Sequence, residues 1–361
     1  MKKLLILVKK YPTEEEPYAL TYVHSRSIEY KKRGINFDIL SFDCRKPYEY
    51  QGINIITSSY AATNIDSYTH IISHAPNLRQ HIRFLLSHCK GKTKIFFLHG
   101  HEILLKSRHY PAAYDFLFKN KLHKLTHRIT NDLYDIVKIK ILRYLISQTK
   151  NSKYVLVSNH LKNLAQTDLN KHIPPQKTFI INNCVNNTFI ESSYAPLKIK
   201  GDVITIRQLD NSTYCLDIVR RLALSNPELS FTVYGKGDFF NHNSLPDNIT
   251  VVKRFFKHDQ LPEILSSHRA ALMPTRHDTQ GVMSCEMATF GIPLITSNID
   301  VCKEIFSGMP NVALINNNSA DSNNLGKIIQ ELELNKIPPN KEKFNPTHTI
   351  EKELSVIFNT K

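Results

Sequence analysis

The sequence predicts an α/β protein built from two doubly wound, Rossmann-like domains. Three observations carry this. The chain has 361 residues, more than one ordinary core accommodates. Short apolar runs alternate with polar, helix-length segments, the pattern of a parallel sheet covered on both faces. The alternation then starts afresh past residue 201. An apolar content of 41% is ordinary for a globular chain and excludes disorder.

The elements follow in order. LLILV (4–8) is the first strand, and after a loop a helix runs from Thr21 to Arg33, where Gly34 stops it. FDILSF (37–42), HIISH (70–74), KIFFLHG (94–100), KYVLVS (153–158) and TFIINN (178–183) continue the first sheet. The second sheet is DVITIRQL (202–209), LSFTVYG (229–235), ITVVKRF (249–255), RAALMP (269–274), IPLITS (292–297) and NVALIN (311–316). Helices near 214–224, 259–268 and 283–290 separate its strands, and the two halves join near 191–201. The Pro/Asn/Lys-rich segment 335–346 links to a last helix near 347–358.

Lys and Arg number 47 against 32 Asp and Glu, a formal charge of +15, which favours an anionic partner. The cysteines at 44, 89, 184, 215, 285 and 302 form no CxxC or other metal-ligand spacing and read as reduced thiols. The N-terminal LLILV lies between two lysine pairs and is too short for a signal-peptide core or a membrane span. The expected location is the cytoplasm, or the periphery of the membrane's inner face.

The stretch 274–293, PTRHDTQGVMSCEMATFGIP, carries the chemistry. It leaves the carboxyl end of the strand RAALMP, where doubly wound sheets bind ligands. Gly281 permits a tight turn, so that the N–H groups of Gly281, Val282 and Met283 open a helix and can meet a phosphate. Glu286, one turn further on, can reach ribose hydroxyls, and Asp278 in the loop can reach hydroxyls of a sugar beyond the phosphates. Together they would grip a nucleoside-diphosphate sugar.

The run from Asp278 to Glu286, DTQGVMSCE with its tail MATFGIPLITS, resembles the E-x7-E motif of retaining GT-B glycosyltransferases of family 4, the glycosyl transferases group 1 type. Other segments fall in that family's order: FFLHGHE (96–102) is similar to its HG-D/E loop, FIINNCVNNTF to its I-x-N-G-V-D segment, ITIRQLD to its V-G-R-L strand end, and FTVYGKGD to its G-x-G turn. The resemblance implies GT-B architecture, two Rossmann-like domains facing a central cleft. Residues 1–195 would bind the acceptor, 196–345 the nucleotide sugar, and 346–361 would form a helix returning to the first domain. It further implies a retaining transferase without a side-chain nucleophile. His99 would stand at the reacting face, Asp278 would orient donor hydroxyls, Glu286 would hold the ribose, Arg207 would neutralise the diphosphate, and Glu102 would meet the acceptor.

The chain departs from the family pattern at several points. Asp278 replaces the first glutamate; Cys184 and Asn186 stand for Gly and Asp; Ala19, Leu20 and Thr21 replace a glycine pair. The R-x4-K pair keeps Arg207 but has Ser212 in place of lysine, so another cation is needed, with Arg276 and then Lys236 as candidates. No Asp-x-Asp occurs, which favours metal-independent transfer with no cofactor beyond the donor substrate.

Plainer readings stand beside these. His99 fits a satisfied loop histidine, Asp278 a helix N-cap, Arg207 a surface charge, and Glu102 the cap of the following helix. Gly235-Lys236-Gly237 reads as a tight turn. The basic segment 119–145 reads either as a solvated helix face or as a contact for an anionic membrane surface, which would suit a lipid-linked acceptor in bacterial surface polysaccharide synthesis. Rival functions are another GT-B sugar-nucleotide enzyme such as an epimerase, a glycan phosphorylase, a nicotinamide oxidoreductase, or a basic nucleic-acid-binding protein. No G-x-G-x-x-G follows a strand and no RNA-module signature occurs, so no nucleic-acid partner is expected.

Overall fold

Uncharged runs of Leu, Ile and Val avoid water on both faces only inside a covered parallel sheet, and two such sheets form here. The computed structural model describes residues 3–16, 20–148, 151–170, 173–196, 198–254, 256–335 and 337–358. Ala19, part of the altered first loop, lies outside them. Contacts divide the chain into two units: 1–106, 132–184 and 345–361 form the first, 107–131 and 185–344 the second. The sequence reading instead placed the whole of 1–195 in one domain. Segment 107–131 leaves it because its aromatic side chains pack in the second unit, Tyr114 and Phe116 against Phe239.

The first unit runs β1 (Lys3–Val8), α1 (Thr21–Lys32), β2 (Asn36–Ser41), β3 (Tyr48–Tyr50), β4 (Ile53–Ile56), α2 (Ser58–Thr63), β5 (His70–His74), α3 (Arg83–His88) and β6 (Thr93–Leu98). The chain then passes through α4 (Lys106–His109), which lies almost wholly in segment 107–131, and the long α5 (Lys121–Gln148), which belongs to the first unit from residue 132 onward; β7 (Ser152–Leu156), α6 (Asn159–Asp168) and β8 (Thr178–Ile180) complete that unit. The sheet order is β3-β4-β2-β1-β5-β6-β7-β8, parallel except for the β3–β4 hairpin. The sequence reading missed that hairpin. Its turn is Gln51-Gly52, both with positive φ, and glutamine is a weak signal for such a turn.

The second unit holds α7 (Asn187–Glu191), β9 (Gly201–Ile206), α8 (Leu216–Ser225), β10 (Phe231–Tyr234), α9 (Phe239–His242), β11 (Ile249–Val252), α10 (Leu261–Ser266) and β12 (His268–Met273). Then come α11 (Val282–Phe290), β13 (Leu294–Ser297), α12 (Asp300–Phe306), β14 (Val312–Ile315) and α13 (Leu325–Leu334). All six strands are parallel, in the order β11-β10-β9-β12-β13-β14. Counted within the unit, this is the 3-2-1-4-5-6 order of a dinucleotide-type sheet. α11 is buried from Ser284 to Phe290, with Ser284, Glu286 and Thr289 as its buried polar side chains.

The last helix, α14 (Pro346–Phe358), belongs to the first unit and packs on α1. A buried ion pair joins them. Arg26 Nε donates to Glu353 Oε1 at 2.7 Å, Tyr30 Oη donates to Glu353 Oε2 at 2.7 Å, and neither Arg26 nor Glu353 is exposed. Arg26 Nη1 also donates to the Tyr22 carbonyl at 3.1 Å. Removing one charge would strand the other in the core. Glu353→Ala is expected to destabilise the protein by about 3–5 kcal/mol and Tyr30→Phe by about 1 kcal/mol, measured by urea unfolding. Arg26→Met combined with Glu353→Leu should cost less than either charge deletion alone.

Candidate functional site

Strand order determines where a site can form. In the second unit the chain leaves β9 in one direction, towards β10, and returns on the other side as β12. The pairing Ala270↔Val203 and Ala271↔Ile204 brings the two carboxyl ends together. β9 therefore delivers Arg207, and β12 delivers the loop 274–281, to one crevice at the topological switch point.

Arg207 is buried, and its guanidinium donates to the carbonyls of Tyr214 and Pro274 and, at 3.3 Å, to Met273 Sδ. Its Nε has no hydrogen-bond partner, and among the described residues no carboxylate forms an ion pair with it. Burial lowers its pKa to about 10, so it stays cationic at neutral pH. A charged group held dry without its counterion is costly unless an anion joins it. Gly235 makes this packing feasible: a Cβ there would collide with the Arg207 carbonyl oxygen. The G-x-G segment is thus a close-approach turn, and it sets Lys236 beside the Arg207 loop, with Leu209 N–H donating to the Lys236 carbonyl at 3.0 Å. A cavity of about 480 Å³ opens there, lined by Gln208, Asp210, Asn211, Ser212, Lys236 and, from segment 107–131, Ala113 and Leu117.

Arg276, the first candidate for the missing lysine, is already paired. Its Nη1 and Nη2 bind Asp217 Oδ1 and Oδ2 at 2.8 and 2.5 Å, and Tyr114 Oη donates to Asp217 Oδ1 at 2.9 Å. Asp217 is pushed up by burial but held below the usual carboxylate range by Arg276 and Tyr114. Arg276 also fastens the loop: its backbone N–H donates to the Thr213 carbonyl at 3.0 Å and its Nη1 to the Ser212 carbonyl at 3.1 Å.

Asp278 Oδ1 accepts from the N–H groups of Thr279 at 2.7 Å and Gln280 at 3.1 Å, while burial raises its pKa. It braces the turn into α11. Gly281 caps that helix at φ 71 with no side-chain cap, so the N–H groups of Val282 and Met283 begin the helix uncovered by a capping side chain. Glu286 is buried on the same helix. Its Oε1 lies 3.3 Å from the Asn186 N–H and 3.3 Å from His258 Nε2, while its Oε2 has no partner among the described residues. Burial is the largest influence and lowers the His258 pKa, but the charge and hydrogen bond of Glu286 together with the Asp259 charge outweigh it, and the net shift is upward.

The remaining two candidates lie in the first unit, after β6. His99 stacks near His74, with His74 Nδ1 and His99 Nε2 3.4 Å apart, and its ring meets that of Tyr22 at 4.5 Å between centroids. Burial, aided by the Arg26 charge, holds His99 well below the usual histidine pKa, so the ring is neutral at physiological pH. Glu102 is buried, pushed up by desolvation, and accepts from the N–H groups of His99 and of Gly100, the latter at 3.0 Å. Its carboxylate braces the HGHE turn.

Residues 202–332 match the family model of glycosyl transferases group 1. The fold of the whole chain is similar to those of solved GT-B glycosyltransferases. Sucrose-phosphate synthase from Thermosynechococcus elongatus aligns with TM-score 0.68 at 11% identity, over 99% of this chain and 95% of that one. The pneumococcal O-GlcNAc transferase GtfA, solved with UDP and GlcNAc, aligns with TM-score 0.65 at 9% identity, over 99% and 98%. WaaG, a glycosyltransferase of lipopolysaccharide biosynthesis, aligns with TM-score 0.63 at 13% identity, over 99% and 100%. Identities this low speak for the fold alone. No curated protein matches the sequence. The group 1 match and the GT-B fold together support a sugar-transferring enzyme.

Within the group 1 segment the structure gathers Arg207, Arg276, Asp278, Gly281, Val282, Met283 and Glu286 at one sheet edge; His99 and Glu102 belong to the other unit. Sequence reasoning missed Asp217, Tyr114 and His258. No local motif marks them, since each reaches the site only through the order of the strands. The turn offers a direct check. A Cβ at Gly281 would fall 2.9 Å from Asp278 Oδ2, at a φ that side chains rarely adopt. Gly281→Ala should destabilise the protein by about 1–2 kcal/mol in thermal or urea unfolding.

Proposed function

We propose that the chain is a retaining, metal-independent glycosyltransferase that moves a sugar from a nucleoside-diphosphate sugar to a glycan or lipid-linked acceptor in bacterial surface polysaccharide synthesis. The observation that carries this is the buried Arg207 guanidinium, with Nε unpartnered and no carboxylate paired to it, at the switch point where the uncapped start of α11 also lies. A diphosphate supplies the missing negative charge. As the glycosidic bond breaks, charge grows on its β-phosphate, and fixed donors already aimed there lower the barrier. Lys236, which lines the cavity, is the second candidate for the additional cation, and Arg276 is paired with Asp217. In this reading Arg276 helps donor binding by holding the loop that frames the phosphates.

Glu286 Oε2, which neither the Asn186 N–H nor His258 Nε2 engages, suits the ribose hydroxyls. Asp278 orients donor hydroxyls, and the neutral His99 ring donates or accepts a hydrogen bond at the sugar. Glu102 contributes to acceptor binding through the loop it braces. The donor class is supported by the UDP and GlcNAc bound to GtfA, and the pathway class by the lipopolysaccharide role of WaaG. Turnover of a panel of nucleotide sugars tests the reading, and absence of turnover with every donor and acceptor would reject it. Arg207→Ala and Glu286→Ala should each lower transfer by about 10²-fold or more. Activity should persist in EDTA; complete loss restored by Mn²⁺ would refute metal independence.

A lipid-linked acceptor calls for contact with the inner membrane face. No helix among the described residues is long and apolar enough to cross a membrane. α5, however, exposes Leu133, Ile136, Val137, Ile141 and Tyr144 around Lys140. Apolar side chains around a cation suit the headgroup region of an anionic bilayer. Ile136→Glu with Val137→Glu should lower co-sedimentation with phosphatidylglycerol vesicles about fivefold or more. Equal binding by the variant would remove α5 from the proposal.

A further inference from the structure

Glu286 is held from two sides, and only one of them is backbone. Asn186 N–H, at the start of α7, comes from a fixed helix cap in which the Asn186 side chain accepts from Thr188 N–H at 3.0 Å. The other holder is a side chain that no motif marks. His258 opens a short turn, His258–Gln260, whose start is braced by Lys257 N–H donating to Gln260 Oε1 at 3.1 Å. The ring packs edge-on against Phe189, 6.2 Å between centroids, and presents Nε2 to Glu286 Oε1 at 3.3 Å. Its side chain is 23% exposed, against 4% for that of Glu286. Both holders use Oε1, so both leave Oε2 open.

We infer that His258 is a positioning residue that turns Glu286 Oε2 towards the vicinal hydroxyls of the nucleotide's ribose and thereby tunes donor affinity. The inference rests on the sugar-transfer reading above and adds a regulator to its nucleotide site. A carboxylate pinned at one oxygen by two donors loses its rotational freedom and presents the other oxygen in a fixed direction. The hydrogen bond from a protonated imidazole is charge-assisted and stronger than that from a neutral one. The charged groups whose fields reach the His258 ring are Glu286 on α11 and Asp259 beside it, and both favour the protonated form against the opposing effect of burial. The sign follows. A histidine whose pKa is raised by its partner gives the full effect below its ordinary pKa, about 6.5, and loses it as pH rises through the raised value. Nucleotide affinity should therefore fall as the solution goes from mildly acidic to alkaline.

The test is calorimetry of the full chain with UDP, GDP and their 2′,3′-dideoxy analogues, from about pH 6 to about pH 9. Unsubstituted protein should bind one of the two diphosphates more weakly as pH rises. His258→Ala should weaken that diphosphate about tenfold at the acid end and flatten its pH dependence. His258→Gln, which keeps an N–H donor but cannot titrate, should restore part of the affinity with a flat profile. For the dideoxy analogue, which has no hydroxyls for Oε2 to meet, wild type and His258→Ala should be alike. Equal loss on both ligands would make His258 merely structural and overturn the inference, as would wild-type affinity in His258→Ala. If neither diphosphate binds the unsubstituted protein at any pH, this inference falls, while the sugar-transfer reading is judged by turnover of the nucleotide-sugar panel.

Discussion

The parallel pairing of β9 with β12 is the constraint on which the candidate site depends. Parallel strands place all their carboxyl ends at one edge, and the 3-2-1-4-5-6 order leaves a crevice where the chain changes direction. Arg207 follows one strand and the loop 274–281 follows the other, so their proximity comes from ladder register and not from any local signal. The helix that begins at Val282 then adds its N-terminal dipole to the same spot. Gly235, Gly237 and Gly281 are positions where this crowding requires a residue without a side chain.

Two arginines near this edge have opposite fates, and the difference is electrostatic. Arg276 is part-exposed and locked to Asp217 in a bidentate pair that Tyr114 completes, so its charge is spent on holding the 212–217 loop. Arg207 is buried, donates to neutral carbonyls and a thioether and lies over the Tyr214 ring, while the Asp278 carboxylate acts on it through space without forming an ion pair. A protein tolerates such a group when a ligand completes it. The cavity beside Ser212 has Lys236 on its wall.

The first unit handles buried charge differently. Arg26 and Glu353 form a buried ion pair, with Tyr30 donating to the second carboxylate oxygen, and the result is a seam between α1 and α14. The Arg26 charge still reaches His74 and His99, where it joins burial in keeping both rings neutral. Glu102 spends its carboxylate on the backbone of the turn that carries His99. Charge here builds the scaffold; in the second unit it is left open.

The core strands are legible in the sequence, because uncharged aliphatic runs can be buried on both faces only in a parallel sheet, and so are the turn at Gly281 and the placement of Asp278 and Glu286 around it. Those features lie within one loop and one helix, so residue spacing encodes them. The Gln51-Gly52 hairpin escaped because glutamine is a poor marker of a left-handed turn. Segment 107–131 groups with the second unit because its aromatic side chains find their partners in a different stretch of chain. Only the tertiary structure decided which cation is spent and which is open, and that His258 holds Glu286. The physical reason is that charge matching depends on distance through space. Asp217 reaches Arg276, and His258 reaches Glu286, only after the sheet has brought distant segments to one edge.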